Sequence, residues 1–461
     1  MDKIKVLSPT AILGYGFPVE SFERGLDRKP DVIAVDGGST DPGPYYLGSG
    51  LSFTDRNAVK RDLHLMIEAG QKLNIPVLVG TAGGSGASAH LNWCLDIVKE
   101  IINEEGFKLK IATIGAEIDR EEVKNRLREG KLSPLYPAEE VNEEEIDRAT
   151  RIVGQMGIEP IIEALKGGAD LILAGRAYDP TVFAAYPILK GFERGLALHM
   201  GKILECASIA ADPGSGSDCM LGILGQDHFI LEPLNPERRC TVTSVSAHTL
   251  YEKSNPYKLY GPGGVIDLTE TEFEQIDERR VKVTGSKFIP DEDYTIKLEG
   301  AKLVGYRTIS IAGTRDPIMI RQIDDILKEV KRIVNESFSE DREKYNIYFR
   351  VYGKNGVMGK LEPVQEITAH ELGIVIEVIA DTQKRANSIC SFTRSTLLHY
   401  GYPGRVATAG NLAFPYSPSD IKAGEVYEFN LHHLVQVDDP LEYFPVRFMT
   451  EDTIPEDGRL T

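Results

Sequence analysis

Short apolar runs alternate with helical periods along the first two hundred residues. Runs at Val6-Leu7, Asp31 to Val35, Pro76 to Val79, Lys110 to Ile114 and Asp170 to Ala174 each end in a polar or glycine-rich turn. Unbroken apolar runs bounded in this way are the mark of strands buried on both faces of a parallel sheet. Between them the spacing turns helical. One helix is predicted from an N-cap at Thr54 through Val59, Leu63, Met66 and Ile67, a second through Leu91, Leu95 and Val98, and a third from Asn142, where Glu145 completes a capping-box-like start. Alternating strands and helices predict an α/β fold, a mostly parallel sheet with flanking helices, over residues 1–215. All the turns that follow its strands then collect at one sheet edge.

After Asp212-Pro-Gly-Ser-Gly-Ser-Asp218 the pattern changes. β-branched runs such as Thr241-Val-Thr-Ser-Val, Val281-Lys-Val-Thr and Tyr306 to Ala312 dominate, with two long helices at Pro317 to Phe338 and Thr382 to His399 and a return to strand from Val426. This predicts a second, α+β domain over residues 216–461, its helices on one face of an antiparallel sheet. The tail from Glu442 to Thr461 is charged and carries proline, and is expected to dock loosely or reach a partner.

Composition narrows the classes of function. The 461 residues are 42% hydrophobic, enough for two cores. A formal charge of -18, from 52 Lys+Arg against 70 Asp+Glu, disfavours nucleic acid and anionic membranes as partners. The five cysteines are scattered without a CxxC pair, as reduced thiols in a cytoplasmic protein are. The sequence opens directly on a strand-like run, and no apolar stretch reaches membrane-spanning length. The acidic helical segments read as solvated faces.

The candidate chemistry lies in the turns. Gly80-Thr81-Ala-Gly83-Gly84-Ser85-Gly86-Ala-Ser88 joins a strand to a helix, where backbone N–H groups and the helix dipole favour an anion. Its order is neither GxGxxG nor a Walker loop, so nucleotide hydrolysis has no motif support. Thr81, Gly83, Gly84, Ser85, Gly86 and Ser88 are therefore candidate contacts for a carboxylate or phosphate, the alternative being a turn needed only for helix–sheet packing. In Asp36-Gly-Gly-Ser-Thr-Asp41-Pro, two carboxylates on a glycine-rich loop suit either a hard divalent cation or an acid/base pair, although Asp41 before proline also suits a plain turn. Asp36, at the strand end, is the better acid/base candidate. Arg176, in Gly175-Arg-Ala-Tyr178-Asp179-Pro, offers a fork for a carboxylate or phosphate, while Asp179 reads more simply as a helix N-cap. His199, Lys202 and Glu205 fall three apart on a helix, sharing one face that can carry proton transfer or serve only as a polar face. Cys206 has no base beside it in sequence. The loop Asn255 to Gly264 is either a cover for a site or an ordinary hairpin turn.

Taken together, Asp36-Gly-Gly-Ser-Thr-Asp-Pro-Gly-Pro, Gly80-Thr-Ala-Gly-Gly-Ser-Gly, Gly175-Arg-Ala-Tyr-Asp-Pro, His199-Met-Gly-Lys-Ile-Leu-Glu-Cys, Tyr260-Gly-Pro-Gly-Gly and Gly313-Thr-Arg-Asp-Pro resemble the acyclic terpene utilisation protein A family from about residue 4 to 440. The resemblance implies a place in terpenoid-acid breakdown, beside enzymes of acyl-CoA thioesters, without fixing a reaction. It also implies that a small C-terminal domain present in some relatives is missing here and is supplied by a partner subunit if the site needs it. The expectation is an enzyme, a hydro-lyase or isomerase, that moves protons on a small carboxylate or CoA thioester. Asp36, His199 and Glu205 are its acid/base candidates, the glycine loop and Arg176 its anion contacts, and Asp36 with Asp41 its candidate cation ligands. A homo-oligomer is expected. The competing expectation is a non-catalytic acyl-carrier or scaffold subunit that works with a small partner.

Overall fold

Apolar residues on both sides of each predicted strand require two covering layers, and the computed structural model supplies them. It describes residues 2–251, 255–450 and 453. Strands Ile4–Ser8 (β1), Val32–Asp36 (β2), Val77–Gly80 (β3), Lys110–Ile114 (β4) and Leu171–Ala174 (β5) run parallel in the order β1-β2-β3-β5-β4. Successive residues face opposite layers, Ile33 and Val35 one core and Val32 and Ala34 the other. Helices Arg56–Leu73 (α1) and Ser88–Glu105 (α2) close the first core through Leu63, Met66, Leu95 and Val98. Helices Thr181–Leu189 (α3) and Arg194–Leu204 (α4) close the second through Val182, Phe183, Met200 and Ile203. β3 thus leads into α2 on one face, and its neighbour β5 leads into α3 on the other. Their loops part at the carboxyl ends of the strands, where open α/β sheets form a crevice.

The change of pattern after residue 212 is a change of strand direction. Met220–Leu224 pairs antiparallel with β1, and His228–Pro233, Val281–Thr284 and Glu272–Gln275 follow it outward, while Val446–Thr450 pairs antiparallel with β4. By contact density the chain forms two units: one up to Lys302 together with the residues from Phe429, the other Leu303–Glu428. The second unit has an α+β arrangement over a shorter span than the residues 216–461 expected to form one. Tyr306 to Thr314 and Tyr345–Tyr352 flank Leu372–Ala380 antiparallel, and Ile374, Ile376 and Val378 bury one face beneath helices Ile323–Ser337 and Gln383–His399.

Several local expectations shift. Asp55, not Thr54, caps α1, because its carboxylate accepts the Ala58 N–H at 2.9 Å while Thr54 pairs with Ser52. Thr241-Val-Thr-Ser-Val is not a strand. Thr241 and Ser244 form a capping box that starts helix Val242–Thr249, and two reciprocal cap bonds outweigh the β preference of the valines. The helix expected from Pro317 breaks at Gln322, which leaves helical backbone and donates to the Pro403 carbonyl. Asn142 caps its helix as read, and Thr382, expected as the first residue of its helix, is that helix's N-cap. Of the expected loose tail, Val446–Thr450 is a sheet strand, and residues 451–452 and 454–461 lie outside the described residues. Among the described residues no helix is long and apolar enough to cross a membrane. All five cysteines are free thiols.

Candidate functional site

The three loops after β2, β3 and β5 are stitched together backbone to backbone. Gly37 N–H donates to Gly80 O at 2.7 Å, Thr81 N–H to Gly175 O at 3.0 Å and Arg176 N–H to Gly86 O at 3.1 Å. Glycine is required at the tightest approaches: a Cβ on Gly38 would lie 2.3 Å from Gly84 O, and one on Gly86 would lie 2.2 Å from Arg176 N, both at positive φ. Thr81 also holds a positive φ of 44°, unusual for a β-branched residue, and its Oγ1 accepts the Ala177 N–H at 3.2 Å. The glycines of this loop therefore serve the close packing of the three loops on one another. Its anion-facing equipment is partly committed: the Ser88 N–H at the start of α2 donates to the chain's own Glu117 at 2.9 Å. Ser88 itself is exposed. Ser85 is fully buried and its hydroxyl has no hydrogen-bond partner among the described residues.

Behind this stitching lies a buried cluster of charges. Arg176 is 2% exposed, and its Nε donates to Glu299 Oε2 at 2.7 Å while its Nη1 reaches Ala177 O at 3.0 Å and Asp179 Oδ1 at 3.4 Å. Asp179 is thus not an N-cap: α3 starts without a side-chain cap, and the carboxylate turns to the arginine. Glu299 also accepts Thr40 Oγ1 at 2.8 Å and Lys297 Nζ at 2.7 Å. At the end of α4, Lys202 forms a buried ion pair with Glu205, and the Tyr251 ring lies 5.6 Å from its ammonium. Burial works against the charges of Arg176 and Lys202, yet Glu299 on the first and Glu205 on the second more than compensate, so both are held above their ordinary range. Burial likewise opposes the Glu299 charge, but Arg176 and Lys297 hold it well below the carboxylate range.

Asp36 is the odd member. Burial, then the charges of Asp179 and Glu205, push its carboxyl well above the usual range, against the pull of Arg176 and a 3.3 Å bond from Gly38 N–H. With Asp36 neutral, Arg176, Lys202 and Lys297 balance Asp179, Glu205 and Glu299. Ionising Asp36, itself buried, would add a negative charge that these pairs do not compensate. A carboxyl raised in this way is suited to give up a proton as a general acid does.

The other sequence candidates fall elsewhere. Asp41 is exposed and accepts the Ser39 hydroxyl at 2.9 Å, so it and the buried Asp36 sit in unlike surroundings. Among the described residues no three His, Cys, Asp or Glu side chains are grouped as a metal ion requires. His199 makes its contacts with other groups than the ion pair that its helix carries. Its Nδ1 pairs with Ser286 Oγ at 2.7 Å, its Nε2 with Thr249 Oγ1 at 3.0 Å, and Phe229 and Phe273 meet it edge-on. Burial pushes it down to about 3, so it is neutral. His90 is neutral too, pushed down to about 4 by burial, with Nδ1 accepting the Ala87 N–H. Cys206 is held a thiol, since burial and then Glu205 raise it.

Glu299, Lys297 and Thr40 are the participants that sequence reasoning missed. Lys297 and Glu299 alternate with apolar Ile296 and Leu298, which reads as a solvent-facing strand side. The loop expected either to cover a site or to be a plain turn forms a hairpin turn. Strands Lys258–Gly261 and Gly264–Asp267 form a hairpin, and Gly261 lies against the Tyr178 ring, so close that a Cβ would sit 2.6 Å from it. The model of the family described as "Acyclic terpene utilisation family protein AtuA" matches residues 57–214 and 227–418, which include most of this cluster. No curated protein and no solved structure matches the chain.

Proposed function

We propose that this chain, which belongs to the acyclic terpene utilisation AtuA family, moves a proton on a small carboxylic acid or its CoA thioester, in a hydration, dehydration or isomerisation step. The family's name gives a catabolic role in acyclic terpene utilisation. The observation that supports the chemistry is the buried Asp36 carboxyl at the carboxyl end of β2, held well above its ordinary range by burial and by Asp179 and Glu205, beside the ion pairs of Arg176 and Lys202. Its proton goes to the oxygen that gains charge: the carbonyl oxygen as an enol forms, or a departing hydroxyl, which leaves as water. Glu205, ion-paired with Lys202, takes the proton from the adjacent carbon. The buried Ser85 hydroxyl is the contact for the substrate's anionic end. Arg176 acts by its field, because its donors are already engaged by Glu299, Asp179 and Ala177. His199 has no part in the transfer.

The test is exchange of the substrate's α-hydrogen with solvent. Wild-type chain in deuterium oxide, with short-chain acids and their CoA esters, should incorporate deuterium at Cα, and Glu205→Gln should slow this by about 10²-fold or more. Absence of both binding and exchange across the panel would sink the proposal. Binding without exchange would favour the acyl-carrier reading.

A further inference from the structure

The sheet of the second unit has two unlike faces. Ile374, Ile376 and Val378 lie beneath the helices, so Val375, Glu377 and Ile379 between them turn to the other side. Register adds Tyr348 and Ile309, which lie opposite Glu377, and Arg350 and Ile311, which lie opposite Val375. Ile309, Ile311, Val375 and Ile379 are half-buried, and among the described residues none of them belongs to an apolar core. Tyr348 is exposed. At the centre, the buried Glu377 carboxylate takes two guanidinium groups, Arg307 Nε at 2.6 Å and Arg350 Nη2 at 2.8 Å. This face is therefore apolar, with one positive charge in excess.

A segment with the opposite balance follows it in the chain. Its apolar side chains are turned outward, Val357 86% exposed, Leu361 80%, Val364 63% and Met358 50%. A turn of its own orders it, Gly359 N–H donating to Asn355 O at 2.8 Å and Leu361 N–H to Met358 O at 3.1 Å. The segment starts at the open face, because a Cβ on Gly356 would lie 3.0 Å from the Tyr352 ring, and Tyr352 alternates along its strand with Tyr348 and Arg350. Large apolar side chains so exposed and so close in sequence mark a contact surface. Lys360, Glu362 and Glu366 leave the segment one negative charge in excess.

We infer that the segment 356–366 of one molecule lies on this sheet face of a second copy, and that the exchange is reciprocal. Each copy carries both a segment and a face, so one two-fold axis satisfies both and closes the assembly as a dimer. Val357, Leu361 and Val364 then cover Ile309, Ile311 and Val375, and the segment's acids meet the excess charge of Arg307 and Arg350. A contact of about 25 Å by 10 Å, made twice and counted on both surfaces, buries about 1,000 Å², which is what a specific interface needs.

Sedimentation velocity of the full chain at micromolar concentrations tests this. Wild type should sediment at twice the chain mass. Leu361→Asp spoils the segment and Tyr348→Ser the face, and each should raise the dimer Kd by about tenfold or more. Thermal midpoints should stay near wild type, since both side chains are exposed. Mixing the two variants is the sharper measurement. One contact of the mixed dimer joins a sound segment to a sound face, and the other, already lost, loses nothing further, so the mixture should dimerise more tightly than either variant alone. A monomeric wild type, or a dimer that either variant leaves intact, overturns the inference. So does a mixture no tighter than its components, which would set segment against segment or face against face.

Discussion

His199 and Asp36 are both buried titratable groups in the same unit, and they meet opposite surroundings. Around His199 stand two hydroxyls and two phenylalanine rings. Around Asp36 stand Asp179, Glu205 and Arg176. In each case burial favours the neutral form, but only at Asp36 do neighbouring charges reinforce it. A neutral histidine with both nitrogens satisfied has no proton to trade. A neutral carboxyl among ion pairs holds one that the surrounding charge can call on. The contrast separates a core polar group from a candidate acid, and burial alone does not make that separation.

The largest way to break the comparison is to disturb the ion pairs. Arg176→Met leaves the buried Glu299 without its principal partner, and should lower stability by about 3–5 kcal/mol, measured by denaturant unfolding. A loss below about 1 kcal/mol would show that the cluster is hydrated. Asp36→Asn tests the other side. An amide resembles a neutral carboxyl, so stability should stay within about 1 kcal/mol of wild type, while turnover or solvent exchange falls by about 10²–10⁴-fold. Serious destabilisation without that loss would return Asp36 to a structural role.

His199→Gln should do the reverse. Stability is expected to fall by about 1–3 kcal/mol as the Ser286 and Thr249 hydroxyls lose their ring partner, with activity per folded molecule unchanged. The pH dependence sharpens this further. His199 in the fold is pushed down to about 3, below its ordinary 6.5. The unfolded chain therefore binds a proton that the folded chain refuses between those values. Stability from this residue is complete above 6.5 and declines on acidification, by about 1.4 kcal/mol per pH unit. Asp36 has the opposite sign. Its raised folded value means that its contribution is most favourable in acid and is lost as pH climbs above the unfolded value near 4 towards the folded one. Unfolding of His199→Gln at pH 7 and pH 5 should thus show an acid slope shallower than wild type by about one proton. An unchanged slope would mean that His199 is not the neutral core group described.

Much of the frame was readable. The five parallel strands, the helices capped by Asn142 and Thr382, and the gathering of Asp36, the glycine loop and Arg176 at one sheet edge follow from local pattern. The hairpin at Pro262-Gly263 was readable as a turn. Misreadings arose where a local pattern had two physical meanings. Thr241-Val-Thr-Ser-Val has strand composition and a helix cap, and the cap bonds prevailed. Asp179 before proline has the form of an N-cap, yet a buried guanidinium three residues back claimed it.

Hydrophobic period and turn chemistry act over a few residues, so the sequence by itself determined the strands, their loops and the residue types those loops bring to one edge. Which charges face one another depends on how distant strands and helices pack. Glu299 reaches Arg176 across 123 positions of sequence, and His199 reaches Ser286 across 87. Those approaches set whether Arg176 stands open to a ligand or engaged, and how far Asp36 is raised above an ordinary carboxylate. Only the tertiary structure decided them, because the free energy of a buried charge is fixed by its neighbours in space.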